Sequence, residues 1–288
     1  MPLDSAMVGR RTRRFRSVAD ARWLMAYAAG LGDAPPCYFD TTRAIVAHPL
    51  FSVCPEWPVV LDGRNIEGSS ALTREEGARG VHATHDVTIH RPIEAGMELF
   101  TVGTVVAVEM RKPGAYQLTK LETTLDDGSP IATTWQGSLF RGVAVAGGDR
   151  SREVSPPLPE LRAAEQARRE ISISVAAGAA HVYTECARIW NPIHTDRAVA
   201  LAAGLPDLIL HGTATLALAV SAIVRDLLGG EPTRVRRIAA RFGAMVEMPS
   251  RLGLRIEGAG DDAIAFSVRT ARDEAAIRDG LVVFASGR

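Results

Sequence analysis

Apolar positions along this chain fall into two successive runs of the same kind, helical spacing first and strand alternation after it. From Val18 to Leu31 they recur at helical spacing, with Asp20 near the start and Gly30 and Gly32 as stops. Thr84 to His90 then alternates, Leu99 to Val108 is long and β-branched, Tyr116 to Leu125 alternates, and Ile131 to Phe140 closes the set. Asp126-Asp127-Gly128 predicts a hairpin turn between the last two strands. In the second run His181 to Trp190 and Asp196 to Ala203 predict short helices, the latter ended by Gly204. Thr213 to Leu228 predicts a long helix stopped by Gly229-Gly230 and apolar on nearly all sides. Such a helix has no face for solvent and belongs inside, wrapped by a sheet. Strands are predicted at Arg234 to Glu247, Leu252 to Glu257, Ala263 to Thr270 and Leu281 to Ala285.

Between the runs lies a turn-rich, partly stiff stretch, Gly147-Gly148-Asp149-Arg150-Ser151-Arg152 leading into Ser155-Pro156-Pro157-Leu158-Pro159. It divides the chain into a first domain at 1–148, a linker at 149–160 and a second domain at 161–288. Two spacings point to a duplication. Pro92 with Gly96 and Pro249 with Gly253 share Pro-x-x-x-Gly between two strands, where proline ends ladder pairing and glycine permits a turn. Asp33-Ala34-Pro35-Pro36-Cys37-Tyr38-Phe39-Asp40 parallels Ile189-Trp190-Asn191-Pro192-Ile193-His194-Thr195-Asp196, with Tyr38 over His194 and Asp33 over Ile189. Duplicated α+β units packed as a pseudo-dimer are the expected fold.

At 288 residues, 47% hydrophobic and 23% charged, the composition is that of a soluble globular protein with a sizeable core. Lys+Arg and Asp+Glu balance at 33 each, so bulk charge implies neither a nucleic-acid nor a membrane partner. The arm Arg10-Arg11-Thr12-Arg13-Arg14-Phe15-Arg16 reads as a solvated segment, with contact to a phosphorylated ligand as the other reading. It carries no aromatic-interleaved nucleic-acid motif. Cys37, Cys54 and Cys186 form neither a CxxC pair nor a zinc spacing and read as reduced thiols. No apolar h-region follows the basic start and no run is long enough for a span, so the expected location is cytoplasmic.

The candidate chemistry sits at Trp190-Asn191-Pro192-Ile193-His194 and at Leu210-His211-Gly212. Proline fixes its own φ and pushes the preceding residue away from helix, so Asn191-Pro192 breaks the helix entering it, and Asn191 is able to stabilise the turn by bonding nearby backbone. His194 is then held by backbone, where an imidazole moves protons near neutral pH. Gly212 begins the long helix, so its N–H is an unpaired donor aimed where an oxyanion could develop. His211 reads as a supporting or packing residue, and Trp190 as core or pocket wall.

Tyr183 to Asp196, with Ala203-Gly204-Leu205-Pro206 and Ile209-Leu210-His211-Gly212, resembles the MaoC-like, (R)-specific enoyl-CoA hydratase family. Val81 to Val108 and Pro130 to Gly142 resemble that family's N-terminal dehydratase-like domain more weakly. The resemblance implies a double hotdog, an α+β fold in which two antiparallel sheets each wrap a long central helix. It implies hydration or dehydration of an acyl-CoA thioester, with no metal and no other cofactor. His194, Asn191 and Gly212 would carry the reaction, and Trp190 and His211 would meet the substrate. Arg237 and Arg241 are candidates for the CoA phosphates because they cluster in sequence with Arg234 and Arg236, and a homodimer is a possible assembly.

The family's pattern is Gly-Asp-x-Asn-Pro-x-His, and Arg188-Ile189 occupy the Gly-Asp positions. Losing a catalytic acid or base commonly costs on the order of 10² to 10⁴ in rate. Three resolutions stand open. Glu185, one helical turn before Ile189, could return a carboxylate. His194 could act alone. The site could bind thioesters without hydrating them, as a binding or partner subunit, and thioester hydrolysis is a further reading on the same scaffold.

Overall fold

The computed structural model describes residues 2–69, 72–159 and 169–286. In chain order the main elements are β1 (Phe15–Ala19), α1 (Ala21–Gly30), α2 (Val53–Asp62), β2 (Gly80–Ile89), β3 (Met97–Arg111), β4 (Gly114–Thr124) and β5 (Pro130–Arg141). They continue with β6 (Arg169–Val175), α3 (Ala179–Ala187), α4 (Arg197–Ala202), α5 (Gly212–Leu227), β7 (Val235–Phe242), β8 (Ser250–Ala259), β9 (Ala263–Arg269) and β10 (Ala275–Phe284). The periodicities locate most of these. They miss α2, because Pro55 and Pro58 interrupt its helical spacing and Pro58 lies inside the helix. They also miss β6, although Ile171, Ile173 and Val175 alternate there with Glu170, Ser172 and Ser174. Glu160, the last residue of the expected linker, and the start of the second domain through residue 168 lie outside the described residues.

By contact the chain divides into two compact units that differ from the linear halves. Residues 1–17, 55–88 and 98–158 make unit 1, and residues 18–54, 89–97 and 159–288 make unit 2. Helix α1 and the loop after it, though early in sequence, therefore belong with the second run of elements.

In unit 1 strands β3, β4, β5 and β2 lie side by side in that order. The β3–β4 ladder is antiparallel from Phe100 opposite Thr124 to Arg111 opposite Gly114, with a bulge between Val105 and Ala107. The predicted turn forms as Leu125 N–H donates to the Ser129 carbonyl, and Gly128 takes a φ of +85°. Helix α2 lies on this sheet: a methyl group on Gly103 would stand 3.0 Å from Val59, and the Thr134 hydroxyl donates to Glu56 at 2.5 Å. The basic arm is solvated, with Arg10, Arg11, Arg13, Arg14 and Arg16 all exposed, and it is also anchored. Arg10 pairs with Glu67, Arg13 with Asp62, Arg14 with Asp126 and Arg16 with Glu98, while Gly9 and Thr12 N–H groups donate to β3 carbonyls.

In unit 2 the strand order is β7, β10, β9, β8, β6. All four neighbour pairs are antiparallel, and β6 pairs with β8 from Val175 opposite Ser250 to Arg169 opposite Ile256. Helix α5 packs against β6 and β10 with Leu216, Val220 and Ile223 fully buried. This is the wrapped helix that its apolar character requires. Truncating Leu216 to alanine leaves a cavity that α5 closes only partly, so we expect a loss of about 2–5 kcal/mol in chemical denaturation.

The second Pro-x-x-x-Gly match is not a turn. Gly96 does adopt a left-handed φ of +92°, but Gly253 lies inside β8, paired with Arg269 and Ser172, where an added methyl would meet Glu170. The other repeat holds in detail. Pro36 opens a short helix (Pro36–Phe39) just as Pro192 opens a short 3₁₀ turn (Pro192–His194). Asp40 accepts from the Thr42 N–H, and Asp196 accepts from the Ala198 and Val199 N–H groups to cap α4. Tyr27 and Tyr183, 156 positions apart like the two motifs, touch each other through their hydroxyls at 3.3 Å. Gly30 and Cys186, at the same offset, are also in contact. Equivalent residues meeting in pairs place a pseudo-twofold axis between α1 and α3.

Candidate active site

Helix α3 ends when Arg188 turns left-handed, φ +58°, and the Ile189 N–H returns to the Thr184 carbonyl. That conformation is normally a glycine's and costs another residue roughly 1–2 kcal/mol. Arg188 recovers contacts there: its guanidinium lies 4.1 Å from the Trp23 ring centroid and 3.7 Å from Asp20. The reversal buries Ile189 and turns Trp190 outward, 58% exposed, so Trp190 is neither core nor pocket wall.

Backbone alone closes the next turn. His194 N–H donates to the Asn191 carbonyl, and the Thr195 and Asp196 N–H groups donate to the Pro192 carbonyl. The Asn191 side chain makes no capping bond, contrary to the turn-forming role expected of it. Its amide is therefore left over for something else.

His194 Nδ1 lies 2.8 Å from the Ile209 carbonyl oxygen. A carbonyl only accepts, so Nδ1 carries the hydrogen and Nε2 keeps its lone pair. Burial pushes the His194 pKa down to about 4, with the Ile209 carbonyl acting weakly the other way. The ring stacks on His211 at 3.7 Å and 28°. His211 Nε2 is 3.2 Å from the Thr184 hydroxyl, and burial followed by the neighbouring His194 pushes its pKa down to about 2. Both imidazoles are neutral at physiological pH. Gly212 is the first residue of α5, directly after the cap residue His211, and a methyl there would stand 3.1 Å from the Phe242 ring. The first backbone bond of the helix is Thr215 N–H to the His211 carbonyl, so among the described residues the helix N–H groups before it have no backbone partner.

Glu185 does not restore the missing carboxylate. It is exposed and lines a cleft of about 270 Å³ with Arg22, Trp23, Ala26, Cys186 and Arg188. Among the described residues no hydrogen bond or ion pair joins it to His194 or His211. The helical turn that would align it with Ile189 is cut at Arg188. Arg241 is exposed and pairs with Asp279 at 3.5 Å. It adjoins Phe242, which faces Gly212, so strand alternation turns Arg241 to the other face. Arg237 is half-buried on β7. Asp33 lies elsewhere too, accepting from Ser221 on α5, nine residues and about 13 Å beyond Gly212. Among the described residues no three His, Cys, Asp or Glu side chains are grouped as a metal ion would need. No helix there is long and apolar enough to cross a membrane.

Several residues escaped the sequence reading. Thr184 holds His211, and Tyr183 donates to the Thr213 hydroxyl at 3.1 Å in the first turn of α5. Tyr183 also meets Tyr27, and the shared offset of 156 was the available signal. In unit 1 Glu56 is buried with its pKa pushed up to about 8 by desolvation.

These shifts predict how stability varies with pH. His48, His194 and His211 stay neutral when folded, with pKa values of about 3, 4 and 2, but take a proton near 6.5 when unfolded. Their stabilisation is present above pH 6.5 and is lost as pH falls toward the folded values. Each should give up about 2 kcal/mol by pH 5. Glu56 works in the opposite sense, losing stability as pH rises from 4.5 to about 8. The histidines dominate, so urea midpoints should fall from pH 7 to pH 5.

Comparison with known proteins agrees with this architecture. Residues 161–277 match the MaoC-like domain family, and residues 6–134 match the FAS1-like dehydratase domain region. An enoyl-CoA hydratase of Mycobacterium tuberculosis, ChsH3, is 27% identical over 206 residues, covering 72% of this chain and 70% of that protein. The crystal structure of a MaoC-like dehydratase from Phytophthora capsici superposes with a TM-score of 0.81 at 20% identity, covering 97% of this chain and 96% of that one. A Mycobacterium tuberculosis protein described as having a double hotdog fold superposes at 0.63 with 14% identity, covering 96% and 95%. The double hotdog fold expected from the sequence is the fold observed.

Proposed function

The chain belongs to the MaoC-like dehydratases in their two-domain form, and from that premise we propose that it hydrates an enoyl-CoA thioester, or dehydrates the product, with His194 as its one acid/base group. The observation that carries the reading is the tautomer of His194. With Nδ1–H held by Ile209, the Nε2 lone pair is free to take a proton from water. The water oxygen bonds to C3 of the enoyl group while the thioester carbonyl gathers negative charge. The Gly212 N–H donates to that oxygen. The imidazolium then returns the proton to C2, leaving His194 neutral and water added across the double bond. A pKa of about 4 makes His194 a weak base and its conjugate acid a strong donor, which suits the second half better than the first. Asn191, with its amide uncommitted, orients the water. No metal or redox cofactor enters this scheme, and a homodimer is compatible with it.

The test is to incubate the protein with enoyl-CoAs of varied chain length and follow loss of the conjugated double bond. No turnover on any of them sinks the reading. A second reading, a subunit that binds acyl-CoA without hydrating it, is favoured by one observation: buried Ile189 at the position of the family's aspartate. It predicts thermal stabilisation by acyl-CoA with no product.

A further inference from the structure

The two copies of the repeated motif share a framework and differ at one ring contact. Val46 bridges Glu94 while Ala47 N–H donates to the Ile93 carbonyl; Ile209 bridges Glu247 while Leu210 N–H donates to the Val246 carbonyl. His48 and His211 each follow by one residue, so they correspond, as Tyr38 does to His194 and Tyr27 to Tyr183. The tyrosine–histidine contact is alike in both copies. Tyr27 and His48 have ring centroids 5.6 Å apart at 48°, and Tyr183 and His211 are 5.0 Å apart at 54°. The next contact is not alike. Tyr38 and His48 stand 6.2 Å apart and tilted at 44°, whereas His194 and His211 stack at 3.7 Å and 28°. Close stacking belongs to the copy that carries the second imidazole.

A different anchor accompanies the stack. His48 Nδ1 accepts from the Leu50 N–H, and its Nε2 lies 3.2 Å from Ser221 Oγ. His211 Nε2 lies 3.2 Å from the Thr184 hydroxyl instead, and the residue at the Thr184 position of the first copy is Ala28, which has no hydroxyl. His211 is held by its backbone as well. The Leu210 N–H is bonded to Val246, and the His211 carbonyl accepts from both the N–H and the hydroxyl of Thr215. Its ring also rests against Tyr183, whose hydroxyl donates to Thr213. At 3% exposure this ring is closed to a substrate and touches His194.

His194 needs such a wall. Among the described residues its side chain makes one hydrogen bond, from Nδ1 to the Ile209 carbonyl. One bond at one ring atom leaves the imidazole plane free to swing, because the χ2 torsion of histidine is broad and roughly two-fold. A half-turn would put a carbon against Ile209 and carry Nε2 away from the side it now faces. A second flat ring packed on one face at contact distance opposes that swing.

We propose that His211 is a positioning residue, whose ring holds the plane of His194 so that Nδ1–H stays on Ile209 and Nε2 keeps its lone pair, and that Thr184 locks His211 for this task. That the hold serves hydration rests on the proposed function; the hold itself requires no turnover.

Long-range proton–nitrogen NMR correlation of the full chain tests this, since a ring nitrogen bearing hydrogen and one bearing a lone pair resonate far apart. The His194 signals are those missing from His194→Gln. In the unmodified protein near neutral pH, His194 should carry its hydrogen on Nδ1 alone. His211→Phe keeps a flat ring with no polar atom seeking a partner, and should keep that signature with kcat little changed. His211→Asn keeps a hydrogen-bonding group for Thr184 but no ring. It should show both tautomers of His194 and lose about 10²-fold in kcat, with KM moving much less. Thr184→Val, close in shape, deprives His211 Nε2 of its partner and should mix the tautomers to a smaller extent, and Thr184→Ser should restore the single one. A single Nδ1–H tautomer that survives His211→Asn or Thr184→Val, or that is lost in His211→Phe, overturns the proposal. Failure of the hydratase reading shows separately, as absent turnover in a protein whose tautomers respond as stated.

Discussion

His194→Ala should lower kcat for hydration of an enoyl thioester by about 10² to 10⁴-fold, with KM changed by much less. On the proposed mechanism one imidazole does both proton transfers, because Ile189 stands where the family pattern has its aspartate. Removing it leaves Gly212 to polarise the carbonyl and no group to activate water. The stability readout separates chemistry from folding. The variant loses one buried hydrogen bond to Ile209 and the stack on His211, about 1–3 kcal/mol, and remains folded in a protein of ordinary stability. Steady-state assays beside urea denaturation check both parts. An unchanged kcat would remove His194 from the mechanism.

Ile189→Asp should act in the other direction, raising kcat by about 10²-fold while lowering stability by about 2–4 kcal/mol. The cost follows from placing a carboxyl where a 5%-exposed aliphatic side chain now packs. The gain follows from giving His194 a second acid/base group at the position from which the family's aspartate works. The two effects are measured independently, by turnover at saturating substrate and by denaturation. A folded variant with no gain would mean that the missing carboxylate is not what limits this chain, and would favour the binding-only reading.

Local signals made the main features of the site legible. Asn-Pro placed a break before His194, and the all-apolar run after Gly212 required a buried helix; neither depends on distant parts of the chain. What failed did so for a tertiary reason. Glu185 and Ile189 share a helical face only if the helix continues, and Arg188 ends it left-handed, held by Trp23 and Asp20 from α1. The apolar ring of Trp190 predicts an inward position, and the same reversal turns it outward. Arg241 clusters with other arginines in sequence, but strand alternation turns it away from Gly212. Helix α2 was hidden by its prolines.

By itself the sequence determined the periodicities, the duplication and the turn that holds His194, because these are properties of neighbouring residues. Only the tertiary structure decided which nitrogen of His194 is free, since that is set by the Ile209 carbonyl fifteen positions away. It decided too that the early helix α1 pairs with α3, and that Asp33 spends one oxygen on Ser221 and leaves the other unused. Those outcomes depend on groups brought together by burial, where an atom's chemistry is defined by partners that sequence spacing does not reveal.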